Sequence, residues 1–185
     1  MGYDLLVFFH VTAAIVWIGA GIFLQVIVTL ADRARDDTTF ASMLRYNEVL
    51  GLRMFLPASL ATFVFGLLVV ADGPWTIGTL WIVLALIGFF ATFLTGVLVL
   101  KPGGERLSTM VAADGGTLGP ETLHQARRLL TLARLDYIVL VVVVFDMVLK
   151  PTSDDTGAQV IMALAVLAGA AVVVTRVRAL DAATA

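Results

Sequence analysis

Cysteine is missing altogether from the 185 residues, histidine occurs twice, and charged side chains make up only 14% of the chain. Each scarcity excludes a class of chemistry. Without cysteine there are no disulfides, thiolate metal sites, iron–sulfur clusters or cysteine nucleophiles. With so few charges, a mean hydropathy of +1.00 and 60% hydrophobic residues, no stretch is polar enough to be a separate soluble catalytic domain. The formal charge of −2 says little about partners, because the charges sort by side of the membrane, and nothing in the sequence supports nucleic-acid binding.

What the chain has instead is five apolar runs: residues 5–31, 54–71, 80–100, 129–149 and 158–175. Each is near the ~20 residues that carry a helix across a bilayer. The expected fold is an all-α, polytopic membrane helix bundle, one transmembrane domain over residues 1–185. Its charges sort by side. If the first run passes inward, Arg33, Arg35, Arg45, Arg53, Lys101, Arg106, Arg127, Arg128, Arg134, Arg176 and Arg178 gather inside and Lys150 alone stays outside. The N-terminus is then outside and the C-terminus inside, in the lipid bilayer of a cell membrane, read as the bacterial cytoplasmic membrane. A cleaved signal peptide does not fit the start. Asp4 stands where a basic region belongs, and the uncharged run is longer than a signal's apolar stretch. Single cysteines placed at Asp72 and Thr152 are expected to react with an impermeant maleimide on intact cells, and those at Asp114 and Thr184 only after lysis. Labelling of position 114 on intact cells would falsify this topology.

The connections carry further expectations. Residues 32–53 mix polar groups with Phe40, Met43, Leu44, Tyr46 and Leu50, which suits a helix on the inner membrane surface or a solvated loop. Asp72-Gly73-Pro74-Trp75 reads as a tight outer turn, with Trp75 and Trp81 at the interface. The glycine-rich stretch from Pro102 to about Thr122 reads as a mobile inner link. Lys101-Pro102 and Lys150-Pro151 each read as a helix stop. Pro57 removes a backbone donor and is expected to kink the second helix unless it falls in the first turn, as its place near the inner end suggests. Helices in lipid associate through close backbone approach, so Gly88, Thr92 and Gly96, and Ala165 with Gly169, read as stripes for intrachain helix contact.

Function has to be sought among ionisable groups at membrane depth, since each costs about 2.5–3.5 kcal/mol at the bilayer centre. The fourth run holds Arg134, Asp136 and Asp146. Asp146 and Lys150, at i and i+4, read as a structural ion pair at the outer rim, with a proton- or ligand-handling carboxylate as the alternative. Asp136 has candidate partners in Arg53 and Arg134. His10 shares a helical face with Ala14, Trp17 and Gly21, and lies at about the depth of Asp146 and Met147. Two readings follow for it. It ligates haem b or copper near the outer face, with Met147 as second ligand, Asp146 as the acceptor behind the ring and Trp17 alongside. Otherwise it is a histidine hydrogen-bonded across a helix interface. His124 lies on the inner side beside Arg127 and Arg128, which excludes bis-histidine ligation within one chain and suits a solvated interfacial role.

The order His10, Trp17-Ile18-Gly19, Leu56-Pro57-Ala58, Phe65-Gly66, Leu135-Asp136 and Asp146-Met147-Val148-Leu149-Lys150-Pro151 resembles the bacterial family called domain of unknown function 2269, predicted integral membrane proteins. The likeness covers residues 3–151, which implies a four-helix core with the fifth helix added. It carries no activity. More distantly, the histidine followed by Trp-x-Gly is similar to the copper-resistance D family and the small haem-binding protoporphyrinogen oxidases, although the glycine usual next is Ala20 here. Two function classes stand: a redox or cofactor-handling membrane protein with haem b or copper at His10, and a small transporter or accessory subunit whose polar residues are structural. A homo-oligomer and a redox partner are both open.

Overall fold

The computed structural model describes residues 2–116 and 118–183, so the labelling position Thr184 lies outside the described residues. Five long helices follow one another: α1 (Gly2–Ala34), α2 (Asp37–Asp72), α3 (Leu80–Ala113), α4 (Pro120–Leu149) and α5 (Thr156–Ala182). There is no strand among the described residues. By length and composition, α1, α2, α3 and α5 are able to cross a membrane. α4 is diluted by Arg134, Asp136 and Asp146, yet its 30 residues, about 45 Å of helix, pack along α3 on one side and α5 on the other. The molecule is a helical membrane bundle. α5 rests mainly on α4, outside the bundle that α1–α4 form.

Two helices are longer than the apolar runs within them, because each continues through a π-helical segment into a polar inner arm. In α2 the segment is Gly51–Phe55, and in α3 it is Gly96–Leu100. Both obey one pattern: a glycine six residues before a proline, Gly51 with Pro57 and Gly96 with Pro102. The residue before the proline donates its N–H five back, Leu56 to the Gly51 carbonyl and Lys101 to the Gly96 carbonyl. A proline ring clashes with the carbonyl four residues back and brings no donor. A widened turn relieves both problems while the helix continues.

The structure corrects three sequence expectations at these arms. Lys101-Pro102 does not stop a helix, and residues 101–113 are helical rather than a mobile link. Gly103 makes this possible, since a Cβ there would come within 2.7 Å of Leu129 Cδ1 on α4. Pro57 is not in the first turn of a free helix, because Asp37–Leu50 precedes it without a break. Lys150-Pro151 does end its helix, with Lys150 left-handed at φ 50 and its N–H on the Asp146 carbonyl at 2.7 Å.

The inner arm Asp37–Leu50 starts at Asp36, whose Oδ1 accepts from the Thr39 N–H at 3.0 Å. Its apolar face does not lie on lipid. Phe40, Ala41 and Leu44 are buried with Val28, Ala31, Leu107, Val111 and Ala126, so the two inner arms and the ends of α1 and α4 share one core. Arg127 locks this end, donating through Nε and Nη2 to Asp32 Oδ1 at 2.9 and 2.7 Å. His124 is not solvated: it is 12% exposed and sits 3.4 Å from Asp181 at the inner seam of α4 and α5. Outside, Thr152 donates its N–H and hydroxyl to Asp155 at 2.8 and 2.9 Å, and these bonds hold that carboxyl below its ordinary range.

Candidate functional site: a polar cavity in the inner half

The π segments and inner arms of α2 and α3 border an open space. A cavity of about 440 Å³ lies there, bounded by α1, both π segments, both inner arms and α4. This volume falls within the range of small-molecule sites. Most of the wall is aliphatic or aromatic, including Trp17, Phe55 and Phe93. Polar side chains interrupt it at Gln25, Asn47, Ser59, Thr92, Asp136 and Tyr137.

Local structure explains which polar groups face inward free for work. The Ser59 hydroxyl donates to the Leu56 carbonyl at 2.9 Å, and Thr92 to the Gly88 and Phe89 carbonyls at 3.1 and 3.0 Å, so both are satisfied within their helices. Tyr137 is held against α1 by Gly21, where a Cβ would stand 2.6 Å from Tyr137 Cε1. Asp136 is different. It lies about 14 Å along α4 from Arg127, about 3 Å beyond the exposed Arg134, and about 21 Å from Lys150. It pairs with neither expected partner: Arg134 reaches Thr29 Oγ1 at 3.4 Å, and Arg53 is not on the cavity wall. No hydrogen bond or ion pair holds its carboxyl among the described residues. Lys101 and Glu105, also on the wall, pair with each other at 3.6 Å, both about half exposed.

The outer half is packed differently. His10 Nδ1 lies 2.8 Å from the Thr62 carbonyl. A carbonyl only accepts, so Nδ1 carries the proton, and in the neutral ring Nε2 is then the bare nitrogen. The ring lies against α2 at Gly66, where a Cβ would meet His10 Cε1 at 3.0 Å. The acceptor behind the ring is therefore Thr62 and not Asp146, as the sequence suggested. Trp17 stacks edge-on against Phe89, centroids 5.7 Å apart, and faces the cavity that His10 does not line. Met147 is half-buried on α4.

Asp146 is 1% exposed, and both its oxygens lack a hydrogen-bond partner among the described residues; the Trp81 Nε1 is buried and unpartnered too. The expected ion pair is absent among them. Lys150 is left-handed, which turns its chain away from the residue one turn back, and its ammonium sits over the rings of Trp75 and Trp81 at 4.7 and 5.6 Å.

For haem or copper the structure offers His10. His10 has the geometry of one ligand, with its tautomer fixed from behind. No group of three or more histidine, aspartate or glutamate side chains converges among the described residues, and the cavity is elsewhere.

Gln25, Asn47, Tyr137 and the π segments were not singled out from sequence. Gln25 and Asn47 were legible as amides inside or beside apolar runs. The paired Gly-x5-Pro spacing was legible as a recurrence, although nothing in one dimension says that the two copies line one cavity.

The chain belongs to the family described as predicted integral membrane protein, DUF2269, whose sequence profile matches residues 4–151. The match ends where α4 ends, leaving α5 outside it. Comparison with curated proteins and with solved structures gives no match.

Proposed function

We propose that this member of an integral membrane family is a small transporter of the bacterial cytoplasmic membrane, with the inner-half cavity as its substrate site. One conjunction supports the reading: a cavity of about 440 Å³ at membrane depth, lined by both π segments and by a carboxylate with no partner among the described residues. π-Helical turns recur at functional sites because their weaker hydrogen bonding lets a helix change register or bend. The two that line this cavity are hinges on which the inner arms swing, opening it to the inner side while the aromatic packing of Trp17, Phe63, Phe89 and Phe93 closes the outer half.

The chain's lack of cysteine makes access measurable. Gly96 and Gly104 line the cavity, and a Cβ at either meets nothing within 4 Å, so Gly96→Cys and Gly104→Cys fit there. Both are expected to react with a hydrophilic methanethiosulfonate applied from the inner side, while Leu164→Cys on the lipid face, 60% exposed, stays unreacted because a thiol in hydrocarbon does not ionise. If the thiols at positions 96 and 104 are as inert as the one at position 164, the cavity is closed to water and the transporter reading should be dropped.

A second reading keeps haem b or copper at His10, and the fixed tautomer on Thr62 supports it. A Soret band or stoichiometric copper in purified protein, lost in His10→Ala, would favour it. Colourless, copper-free protein from haem- and copper-replete cells would end it.

A further inference from the structure

We propose that the cavity selects lipophilic cations, molecules whose amine or onium centre is wrapped in apolar groups, and that Asp136 is the residue that binds the charge. This rests on the cavity being the substrate site and names the class of molecule it takes. Three observations carry it. Asp136 is on the cavity wall in no ion pair with a protein cation among the described residues, Arg134 two residues before it reaching Thr29 instead. Aromatic side chains line the space at Trp17, Phe93 and Tyr137, groups that attract positive charge and apolar bulk alike. Lys101, the cation on the described wall, is already paired with Glu105 at the inner mouth. An anion would be repelled by the ionised carboxylate and a neutral apolar molecule would leave the carboxyl protonated and gain no charge pairing from it, whereas a cation pairs with the carboxylate directly.

A carboxyl in this setting is either paired or protonated, so cation and proton compete for the same oxygens. Binding follows Asp136–COOH plus cation giving the carboxylate–cation pair plus one proton released to water. The other titratable groups on the wall are Tyr137 from α4 and the Lys101–Glu105 pair from α3; the described wall residues from α1 and α2 do not titrate. Lowering the pH therefore weakens cation binding through Asp136. Proton–cation exchange at a single carboxylate would let a proton gradient drive cation movement.

Tetraphenylphosphonium and tetraphenylborate have the same shape and opposite charge, and equilibrium binding of each to the full chain in lipid nanodiscs, with empty nanodiscs as blank, tests the proposal. Saturable binding of the phosphonium is expected, about tenfold or more tighter than that of the borate. Asp136→Asn should remove that preference without loss of helicity or of monodispersity, whereas Asp136→Glu should keep it. Phosphonium affinity in the native chain should fall with acidification and be flat with pH in Asp136→Asn. Equal binding of both ions, or a preference that survives Asp136→Asn, overturns cation selection while leaving the cavity as a binding site. Saturable binding of neither ion overturns both.

Discussion

Replacing Gly88 by leucine is expected to separate α3 from α4 and to be the most damaging single substitution in the outer half. A Cβ at this position would collide with Val143 Cγ2, and Val139 Cγ1 is 3.6 Å away. Both neighbours are β-branched residues on a helix packed on its other side by α5 at Gly169 and Ile138, so α4 has no free direction in which to move. In lipid the loss is not made up elsewhere, because apolar side chains pushed apart simply meet lipid tails. Overpacking a tight contact costs about 1–3 kcal/mol, and this position belongs at the upper end. Gly96→Ala and Gly104→Ala are the controls: their Cβ positions are open, and alanine is the better helix former. Reversible unfolding in mixed dodecyl maltoside and dodecyl sulfate reads the difference, and Val143→Ala should restore part of the loss. Gly88→Leu protein as stable as the Gly96→Ala variant would mean that α3 and α4 do not meet as described.

Asp146→Leu is expected to do the opposite and raise stability by about 1–3 kcal/mol. A buried polar group without a partner carries a desolvation penalty of that size, and an apolar replacement removes it. Asp146 shows no partner for either oxygen among the described residues. Lys150→Ala should cost up to about 1 kcal/mol, the worth of the ammonium over Trp75 and Trp81. Because the two side chains do not pair, their effects should add to within about 0.5 kcal/mol in the double variant. An i,i+4 ion pair makes a different forecast: each single change would strand a charge, and the double variant would be milder than either. A coupling above about 1 kcal/mol, or a destabilised Asp146→Leu protein, would restore the ion pair that the sequence suggested. Trp fluorescence gives an independent reading, since Lys150→Ala should alter the emission of the Trp75–Trp81 pair and Asp146→Leu should leave the ammonium on it.

The comparison of Asp146 with Asp136 shows why some of the site was out of reach of the sequence. Both are single carboxylates on one apolar helix, and each had a cation at a plausible spacing. Spacing alone predicts pairing when both side chains point along one helix face, but Lys150 lies where the helix ends, and a left-handed residue points elsewhere. Arg134 was turned away from Asp136 by a neighbour 105 positions distant in sequence, Thr29 on α1. Likewise Asp146 was placed behind His10 on depth alone, whereas rotation about the helix axes gave that role to the Thr62 carbonyl.

What the sequence determined by itself was what depends on sums over a segment: the all-helical membrane bundle and the family, with four of the five expected runs falling in helices long and apolar enough to cross a membrane. Transfer of some twenty side chains into lipid is a large additive term, and no single contact alters its sign. What only the tertiary structure decided was everything that depends on one direction in space. Gly51 and Gly96 became π-turn acceptors because a proline six residues on had to be relieved inside a continuing helix. The arms beyond those turns became the floor of a cavity because Gly103 let α3 close onto α4. Asp136 became its unpaired carboxylate because helix rotation took it to the cavity side and Arg134 to Thr29. Such outcomes turn on single van der Waals and hydrogen-bond contacts between segments far apart in the chain, and these have no signature in composition or periodicity.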